Sequence, residues 1–536
     1  VAMLLRLPAL ALIFLRCPLV TRVWATDAAP PRLLDNGLLR PMQAEWVHQL
    51  GSKGSERAWA VAADTKAYSR SRGSPSYVVG YTDGYLGDAA NGTTASSLGD
   101  PTNADALVMK FLPSGRMVWS RRFGHAREDD YLRAVTVDHH GNVIVAGGTK
   151  GSLPGFRGKG DLDVIVVKFD QTGDVLWQKQ IGSKNADDAW GIAVDKFANA
   201  YVIGSTRGRF AGQRSFGNWD VFLLKYQPDG STGYLTQYGT SYSELARGLV
   251  VDHRGFAYVV GRTAGSLVED VPNAGRDDAF LAKFDVRGNV VWAKQIGGVA
   301  DDEFSAVAIE FSTAMIYTLR HNYPDDSRDV QAGTGTLKLF PENVTLEKWD
   351  SDGELRWARD LGVAWMVSSG SGVGVDQHTG IVYACGTSLQ RGDGGEGLVD
   401  WIRGAEIFLA KYGPDGVERY TERVGSEHWD DAFGMAVGLD ERVYVVGSTE
   451  GSFHGLEHGG AADMLAMQWA PMKLGTAGFP WKTFTPTRAP TLPSPTTAPT
   501  RAPQVLTSGA PEVCCRLGLV AALTIGAVVL FRNAVA

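Results

Sequence analysis

The sequence is poor in cysteine and histidine and has no surplus of basic residues. Its 536 residues include 4 Cys and 10 His, and the formal net charge is −7. Cys17, Cys514 and Cys515 lie near the two ends, which leaves Cys385 alone in the middle of the chain. This distribution excludes a disulfide-stapled domain and predicts that Cys385 is a small core residue. The negative charge argues against nucleic acid as a partner.

Sequence motifs of common catalytic sites are also lacking. The chain contains no G-x-S-x-G, no H-E-x-x-H and no phosphate-binding loop. Histidines such as His125, His139 and His253 fall at predicted turns and strand ends without the spacing of metal ligands. We expect these histidines to be solvated, and no motif assigns an enzymatic activity.

Short apolar segments in a repeated order make up most of the chain. In one copy W-Q-K-Q-I-G (177–182) is followed by D-D-A-W-G-I-A-V-D (187–195), A-Y-V-I-G-S-T (200–206) and D-V-F-L-L-K-Y (220–226). Each segment is rich in β-branched and aromatic residues and is bounded by turn residues, so each predicts a β-strand. The aromatic residue that opens each copy recurs every 57 to 73 residues, at Trp46, Trp119, Trp177, Tyr234, Trp292, Trp357 and Tyr420. Four strands per period and seven copies predict a seven-bladed β-propeller of four-stranded blades.

The same residues resemble a known family. The segments 187–206 and 220–226 are similar to the seven-bladed beta-propeller repeat called SBBP, and the resemblance covers roughly residues 45–470. It implies the all-β propeller fold and says almost nothing about function, because propellers host many activities.

The ends of the repeat region predict how the ring closes. A strand–turn–strand segment such as 168–177 joins each opening aromatic strand to the strand before it, so this strand is the outer strand of the preceding blade. The first copy, 46–51, then has no predecessor, and the last copy ends near Trp469 without a successor. We therefore predict that the N-terminal strand 46–51 completes the last blade by pairing with 463–469.

A glycine recurs inside the strand that reads Y-V-V-G-x-T, for example at Gly80, Gly204 and Gly447. A glycine within a strand usually marks the close approach of another group. We expect that group to be an aromatic ring of the neighbouring blade rather than a ligand.

Three copies carry insertions between their second and third strands, at 83–103, 322–343 and 391–404. These insertions should emerge on one face of the ring, where loops commonly carry binding, although tolerated insertion explains them equally well. The sequons at Asn91 and Asn343 lie in or beside two of them and predict N-glycosylation if the chain is secreted.

Acidic residues recur in the connector that enters each blade. Pairs occur at 129–130, 187–188, 301–302 and 430–431, with single residues Glu56 and Glu244 in two other copies. Asp130, Asp188, Asp302 and Asp431 are therefore candidate ligands of a calcium ion. The competing interpretation, which the repetition favours, is that each carboxylate accepts backbone N–H bonds in a tight turn and that the chain has no cofactor.

The two ends of the chain predict secretion and anchoring. Residues 1–25 resemble a signal peptide, and 26–44 form a lead into the propeller, 45–470. A Pro/Thr-rich stalk follows at 471–511. The apolar segment within 512–536 predicts either a transmembrane helix or a GPI signal.

Two functions remain open from the sequence. The first is a membrane-anchored extracellular propeller that binds a protein or a glycan without catalysis. The second is a secreted hydrolase or lyase acting on polysaccharide, which would require blade-specific polar residues to converge on the channel. The sequence shows carboxylates repeated in register instead, which favours the first function.

Overall fold

The repeats form a ring of antiparallel sheets. The computed structural model describes residues 41–66, 73–84, 103–125, 127–269, 271–322, 329–332, 335–338, 343–361, 367–391, 402–439 and 441–472. Within them, seven four-stranded sheets form the seven blades of an all-β propeller, and a two-stranded hairpin lies in one insertion. The predicted fold is confirmed.

The first four blades each use four consecutive strands. Blade 1 contains β2 (Glu56–Ala63), β3 (Ser76–Thr82), β4 (Asp105–Phe111) and β5 (Met117–Phe123). Blade 2 contains β6 (Asp130–Val137), β7 (Val143–Thr149), β8 (Asp163–Phe169) and β9 (Val175–Ile181). Blade 3 contains β10 (Asp187–Val194), β11 (Ala200–Thr206), β12 (Asp220–Tyr226) and β13 (Thr232–Tyr238). Blade 4 contains β14 (Glu244–Val251), β15 (Ala257–Thr263), β16 (Asp278–Phe284) and β17 (Val290–Ile296).

The remaining blades depart from this regularity. Blade 5 contains β18 (Asp302–Glu310), β19 (Met315–Asn322), β22 (Asn343–Trp349) and β23 (Leu355–Asp360), with the hairpin β20 (Asp329–Ala332) and β21 (Gly335–Lys338) inserted. Blade 6 contains β24 (Val367–Val375), β25 (Val382–Arg391), β26 (Ile402–Tyr412) and β27 (Glu418–Val424). Blade 7 contains β28 (Asp430–Val437), β29 (Val443–Thr449), β30 (Asp463–Pro471) and β1 (Met42–Leu50), with a 3-10 turn at Phe453–Gly455.

The N-terminal strand closes the ring. Strand β1 pairs antiparallel with β30 along its whole length, and Trp46 lies opposite Gln468. The predicted completion of the last blade by residues 46–51 is confirmed. Because the N-terminal strand supplies the fourth strand of blade 7, this blade is complete and the ring is closed.

The antiparallel order of the strands gives the ring two different faces. The first strand of each blade is the innermost, and it packs beside the first strands of both neighbouring blades. We call the end where these strands begin the connector face; it carries the connectors between blades and the loops between second and third strands. The opposite end, the turn face, carries the other turns of each blade. All three insertions therefore begin and end on the connector face, as their described flanking residues show.

The two middle strands of each blade supply most of the core. Strands β8 and β11 are buried at every residue, because both of their faces pack against neighbouring blades. Cys385 is fully buried among apolar side chains, as predicted. The second strands also contribute tyrosines that are fully buried, which are Tyr77, Tyr201, Tyr258, Tyr317, Tyr383 and Tyr444.

The glycine within the second strand has a different neighbour from the one predicted. A side chain at Gly204 would collide with the main-chain carbonyl of Asp188, in the first strand of the same blade. A β-bulge between Ala189 and Gly191 pushes this carbonyl toward the glycine. Gly80 and Gly447 meet first-strand carbonyls beside equivalent bulges. Close packing within a blade, not an aromatic ring of the next blade, therefore requires this glycine.

The aromatic contact between blades occurs instead at the glycine of the hairpin that joins strands three and four. Gly173 has φ +85°, and a side chain there would meet the ring of Trp119 from the preceding blade at 3.1 Å. The Trp119 indole N–H also donates to the carbonyl of Gln171 in the same hairpin, at 3.1 Å. The closing strand repeats this contact, because Trp46 lies against Gly115. The recurring Trp and hairpin Gly thus join neighbouring blades.

Candidate binding site on the connector face

An acidic residue occupies the first position of the inner strand in six blades. Its carboxylate accepts the backbone N–H of the connector residue four or five positions earlier, as in Thr240 N to Glu244 at 2.7 Å and Gly298 N to Asp302 at 2.7 Å. In blades 1 and 4 a threonine hydroxyl from the second strand also donates to this carboxylate. The six residues are Glu56, Asp130, Asp187, Glu244, Asp302 and Asp430. They hold the connectors against the blades.

The four candidate calcium ligands fall in two different settings. Asp130 and Asp302 belong to this connector set, whereas Asp188 and Asp431 lie one residue beyond it. Asp188 pairs with Arg133 at 3.3 Å, and Asp431 accepts the hydroxyl of Thr387 at 3.1 Å. In the described part of the chain no three Asp, Glu, His or Cys side chains are grouped as metal ligands.

Burial changes the protonation of the connector carboxylates. It raises the pKa of Asp130 to about 7 and that of Asp187 to about 6, although hydrogen bonds to the carboxylates act in the opposite direction. Burial also raises the pKa of Glu244, Asp302 and Asp430. These groups therefore titrate nearer to neutral pH than ordinary carboxyls do.

Blade-specific residues meet at the centre of the ring. Three positions after the connector acid, the inner strands of blades 7, 1, 2, 3 and 4 carry a row of aromatic and cationic side chains. We call these five residues the central stack: Phe433, Trp59, Arg133, Trp190 and Arg247. The ring centroids of Phe433 and Trp59 are 4.8 Å apart.

The guanidinium groups of the stack lie over the indole rings beside them. Arg133 is 5.0 Å from the ring centre of Trp59 and 4.0 Å from that of Trp190, while Arg247 covers the other side of Trp190 at 4.3 Å. One residue of blade 2 thus contacts both neighbouring blades, which places it at the inner edge of the ring. Such cation–π contacts rigidify this part of the centre.

Carboxylates neutralise the cations at the centre. Arg133 pairs with Asp188, Arg247 pairs with Glu303, and Arg262 lies 3.6 Å from Glu303. Burial opposes ionisation of Glu303, but Arg247 and Arg262 lower the pKa of its carboxyl, so Glu303 remains charged. The side chains of Arg133 and Arg262 keep 19% and 21% of their surface exposed, so both cations are largely but not wholly buried.

The stack is interrupted at blades 5 and 6, where the same position is serine. Ser305 and Ser371 are smaller than the residues at this position in the other five blades. We call this break in the stack the gap. His321 lies beside it, with Nε2 3.1 Å from Oγ of Ser305. Blades 5 and 6, which contain the gap, also carry two of the three insertions.

Sequence reasoning missed the central residues and reached a wrong expectation about them. Blade-specific polar residues do converge on the centre, whereas the sequence was interpreted as showing only repeated carboxylates. A signal was present: aligning the copies on the connector acid places Trp59, Arg133, Trp190 and Arg247 in one column. Their contact is evident only once the first strands are known to be innermost.

Several predicted features lie outside the described residues. These are Asn91, all of 1–25 and 512–536, and most of 26–44 and 471–511. Asn343, the other predicted glycosylation site, is the first residue of β22 and is in backbone register with Asn322. Within the described part of the chain, no helix has the length and hydropathy needed to cross a membrane.

Comparison with known proteins agrees with the repeat and the fold. The beta-propeller repeat SBBP matches residues 176–211, which run from the outer strand of blade 2 into blade 3. The chain carries the SBBP repeat. The regulatory protein FlaEY of Caulobacter vibrioides is 25% identical over 172 residues, which are 30% of this chain and 18% of that protein. An uncharacterized WD repeat-containing protein of Acanthamoeba polyphaga mimivirus is 21% identical over 234 residues, or 34% of this chain and 17% of that protein. The SBBP chain thus spans less than a fifth of the length of these curated relatives.

Solved structures resemble the SBBP chain only distantly. The Pan2 WD40 domain of Neurospora crassa aligns with a TM-score of 0.41 and 11% identity, over 81% of this chain and 97% of that one. A gluconolactonase from Xanthomonas campestris aligns with a TM-score of 0.29 and 13% identity, over 61% and 90% of the two chains. These similarities carry no information on function.

Proposed function

We propose that this SBBP protein is a cell-surface binding module that contacts a protein or a glycan through its connector face. The supporting observation is that all three insertions begin and end on this face, at the end where the inner strands that carry the central stack begin. On the turn face, blades 2, 3 and 4 share one local solution: Asp138, Asp195 and Asp252 each close the turn after the first strand by accepting backbone N–H bonds. Variable loops on a repeated scaffold commonly carry binding.

Exposed apolar side chains do not by themselves distinguish the two faces. Tyr242 and Val299, in connectors, are 59% and 63% exposed, but Phe197 and Phe311, in turns on the opposite face, are 65% and 48% exposed. Single exposed apolar residues are common on protein surfaces. These residues nevertheless provide a matched pair of positions for testing which face binds.

The proposed location rests on the sequence of the two ends. A signal-like start, two sequons, a Pro/Thr-rich stalk and a terminal apolar segment follow one another in the order that a surface protein requires. In this proposal the membrane anchor is the C-terminal segment, as a spanning helix or a GPI anchor. The glycans are on Asn91 and Asn343.

Hydrolysis of polysaccharide by a pair of carboxyl groups has less support. Such hydrolysis needs one protonated carboxylic acid and one carboxylate near the bond that breaks. At the centre, Arg247 and Arg262 keep Glu303 ionised, so Glu303 is not suited to donate the proton to a leaving group. Burial raises the pKa of Asp188, but this carboxyl group is buried and paired with Arg133.

Intact cells that display the tagged full-length chain provide the test. Cell-surface staining without permeabilisation is expected, and phospholipase C releases a GPI-anchored chain but not one with a spanning helix. Ligands are then captured from a glycan array and from a library of extracellular proteins. Tyr242→Glu with Val299→Glu should abolish binding, whereas the control Phe197→Glu with Phe311→Glu should preserve it. The reverse result, or staining only after permeabilisation, contradicts the proposal.

A further inference from the structure

Ser305 and His321 form a hydrogen-bonded pair at the gap in the central stack. We propose that they are the nucleophile and the base of a site that hydrolyses neutral carboxylic esters, an activity beyond the proposed binding role. The pair has the two features that nucleophilic catalysis requires, a hydroxyl within hydrogen-bond reach of an imidazole and a carboxylate beside that imidazole.

The backbone brings the hydroxyl to the centre of the ring. Ser305 occupies the β-bulge of strand β18, where the register shifts between Phe304 and Ala306. A bulge redirects the side chain of its extra residue, and bulges are frequent beside active sites. Ser305 is partly buried, and His321, on the neighbouring strand β19, is 6% exposed. The base is therefore largely shielded from water, and a substrate would approach the pair from the side of Ser305.

A carboxylate lies where it stabilises a positive imidazole. Glu303 is directly opposite His321 in the pairing of β18 with β19. Although burial opposes it, Arg247, Arg262 and, more weakly, His321 lower the pKa of the Glu303 carboxyl. Glu303 is thus ionised when His321 takes up a proton.

The histidine is specific to blade 5. His321 lies opposite the residue that follows the connector acid. The other blades have different residues at the position of His321, namely Tyr81, Gly148, Ser205, Arg262, Thr387 and Ser448. A histidine needed only to complete a blade would have counterparts elsewhere in the ring. Its occurrence at the gap, beside one of only two serines at the stack position, favours a chemical role.

The proposed reaction proceeds by an acyl-enzyme. Oγ of Ser305 attacks the carbonyl carbon of the ester while Nε2 of His321 takes the hydroxyl proton. The carbon–oxygen bond to the alcohol then breaks, and the alcohol leaves with the proton from His321. Water, activated by His321, cleaves the new ester at Ser305, which releases the carboxylic acid and restores the serine hydroxyl.

The charges around the gap favour a neutral substrate. Arg247 is paired with Glu303, and Arg262 lies 2.8 Å from Asp277. Both guanidinium groups are therefore already neutralised by a carboxylate. A negatively charged acyl group would compete with these ion pairs. Arg247 occupies the stack position next to Ser305, and we assign to its positive charge the stabilisation of the carbonyl oxygen, which becomes negative during the attack.

A purely structural role is the competing explanation. Oγ of Ser305 also lies 3.4 Å from the carbonyl oxygen of Leu319, which can accept its proton, and His321 then only donates to the serine. A structural pair would not react with an electrophile. Chemical labelling therefore separates the two explanations.

Blade 6 supplies an internal control. Ser371 occupies the bulge of β24 as Ser305 occupies that of β18, but the residue in the position of His321 is Thr387. The two serines thus have similar backbone positions, and only one lies beside a histidine. Ser371→Ala is the matched variant for Ser305→Ala.

The experiment uses the full-length chain, a fluorophosphonate probe and p-nitrophenyl acetate. We expect the folded wild type to be labelled on Ser305, as located by peptide mass spectrometry, and to hydrolyse the ester above the buffer rate. Ser305→Ala should abolish both, whereas in Ser371→Ala the label should remain on Ser305. His321→Asn should slow both by about 100-fold or more, because the general base is lost. Lack of labelling of the folded wild type, or labelling that persists in Ser305→Ala, overturns the proposal.

Discussion

The indole N–H of Trp46 donates to the side-chain oxygen of Gln468 at 2.9 Å, across 422 residues of sequence. Both side chains are buried where the N-terminal strand meets the last strand of the ring. Gln468 in turn donates to Glu45, which pairs with Arg442 at 2.9 Å. Closure of the ring therefore depends on a specific buried polar network as well as on strand pairing.

Trp46→Phe tests this network. Phenylalanine keeps much of the ring packing but leaves the buried oxygen of Gln468 without its donor, which costs about 1–3 kcal/mol. We expect a lower midpoint of urea unfolding with a single transition, because closure involves both ends of the chain. The control is Trp177→Phe, whose indole donates to Pro228 at an exposed site. An equal loss in both variants would contradict a special role for closure.

The fold could be predicted from the sequence because one local pattern recurs seven times. The positions of Trp46 and Trp469 within the pattern were enough to predict that the first strand pairs with the last. The neighbour of Gly204 could not be predicted, since it depends on a bulge that shifts the register within the blade. The pattern shows that a group comes close to the glycine, but not which group.

The candidate site was less accessible to sequence reasoning. Trp59 and Arg247 are far apart in the chain, and only the circular order of the blades joins them through Arg133 and Trp190. The connector acids were recognised because they repeat. The central stack was missed because its residues differ from blade to blade. Such variation becomes informative only when the fourth positions of the first strands are known to meet at the centre of the ring.

Gly288→Ala tests the contact between blades. Gly288 has φ +85°, and an added Cβ would lie 2.6 Å from the ring of Tyr234 in the preceding blade. The variant combines the cost of a left-handed backbone, about 1–2 kcal/mol, with this collision. The control Gly212→Ala has φ +79° and no atom within 4 Å of the added Cβ, so it carries the backbone cost alone. We expect the larger loss of unfolding free energy for Gly288→Ala; equal losses would show that the ring contact is unimportant.

The connector carboxylates predict that stability depends on pH near neutrality. In the unfolded chain Asp130 and Asp187 lose their protons near pH 4, but in the folded chain they hold them to about 7 and 6. Between these values the folded state binds more protons, so the free energy of unfolding falls as the pH rises. Urea midpoints should therefore be higher at about pH 5 than at about pH 7.5.

Asp130→Asn tests the origin of this dependence. The amide cannot ionise, and its oxygen can still accept the backbone N–H of His125. We expect a smaller fall in stability between about pH 5 and pH 7.5 than in the wild type. Asp174→Asn, at an exposed hairpin, is the control and should leave the fall unchanged. A steeper fall in Asp130→Asn would contradict the raised pKa.

The ion pair in the central stack gives a prediction that depends on two residues together. Arg133→Met retains an apolar side chain against Trp190 but leaves the carboxylate of Asp188 buried without its cation, which costs about 3–5 kcal/mol. Asp188→Asn in the same chain removes the charge, so the double variant should be more stable than Arg133→Met alone. Arg121→Met serves as the control, because Arg121 lies 5.3 Å from the ring of Trp119 and donates to the carbonyls of Ser120, Thr172 and Gly173. It should lose less than Arg133→Met, because the groups that lose a partner are carbonyls and not a buried carboxylate. Urea unfolding of the wild type, Arg133→Met, Asp188→Asn and the double variant measures the coupling. A double variant no more stable than Arg133→Met would show that the buried charge is not what makes Arg133 necessary.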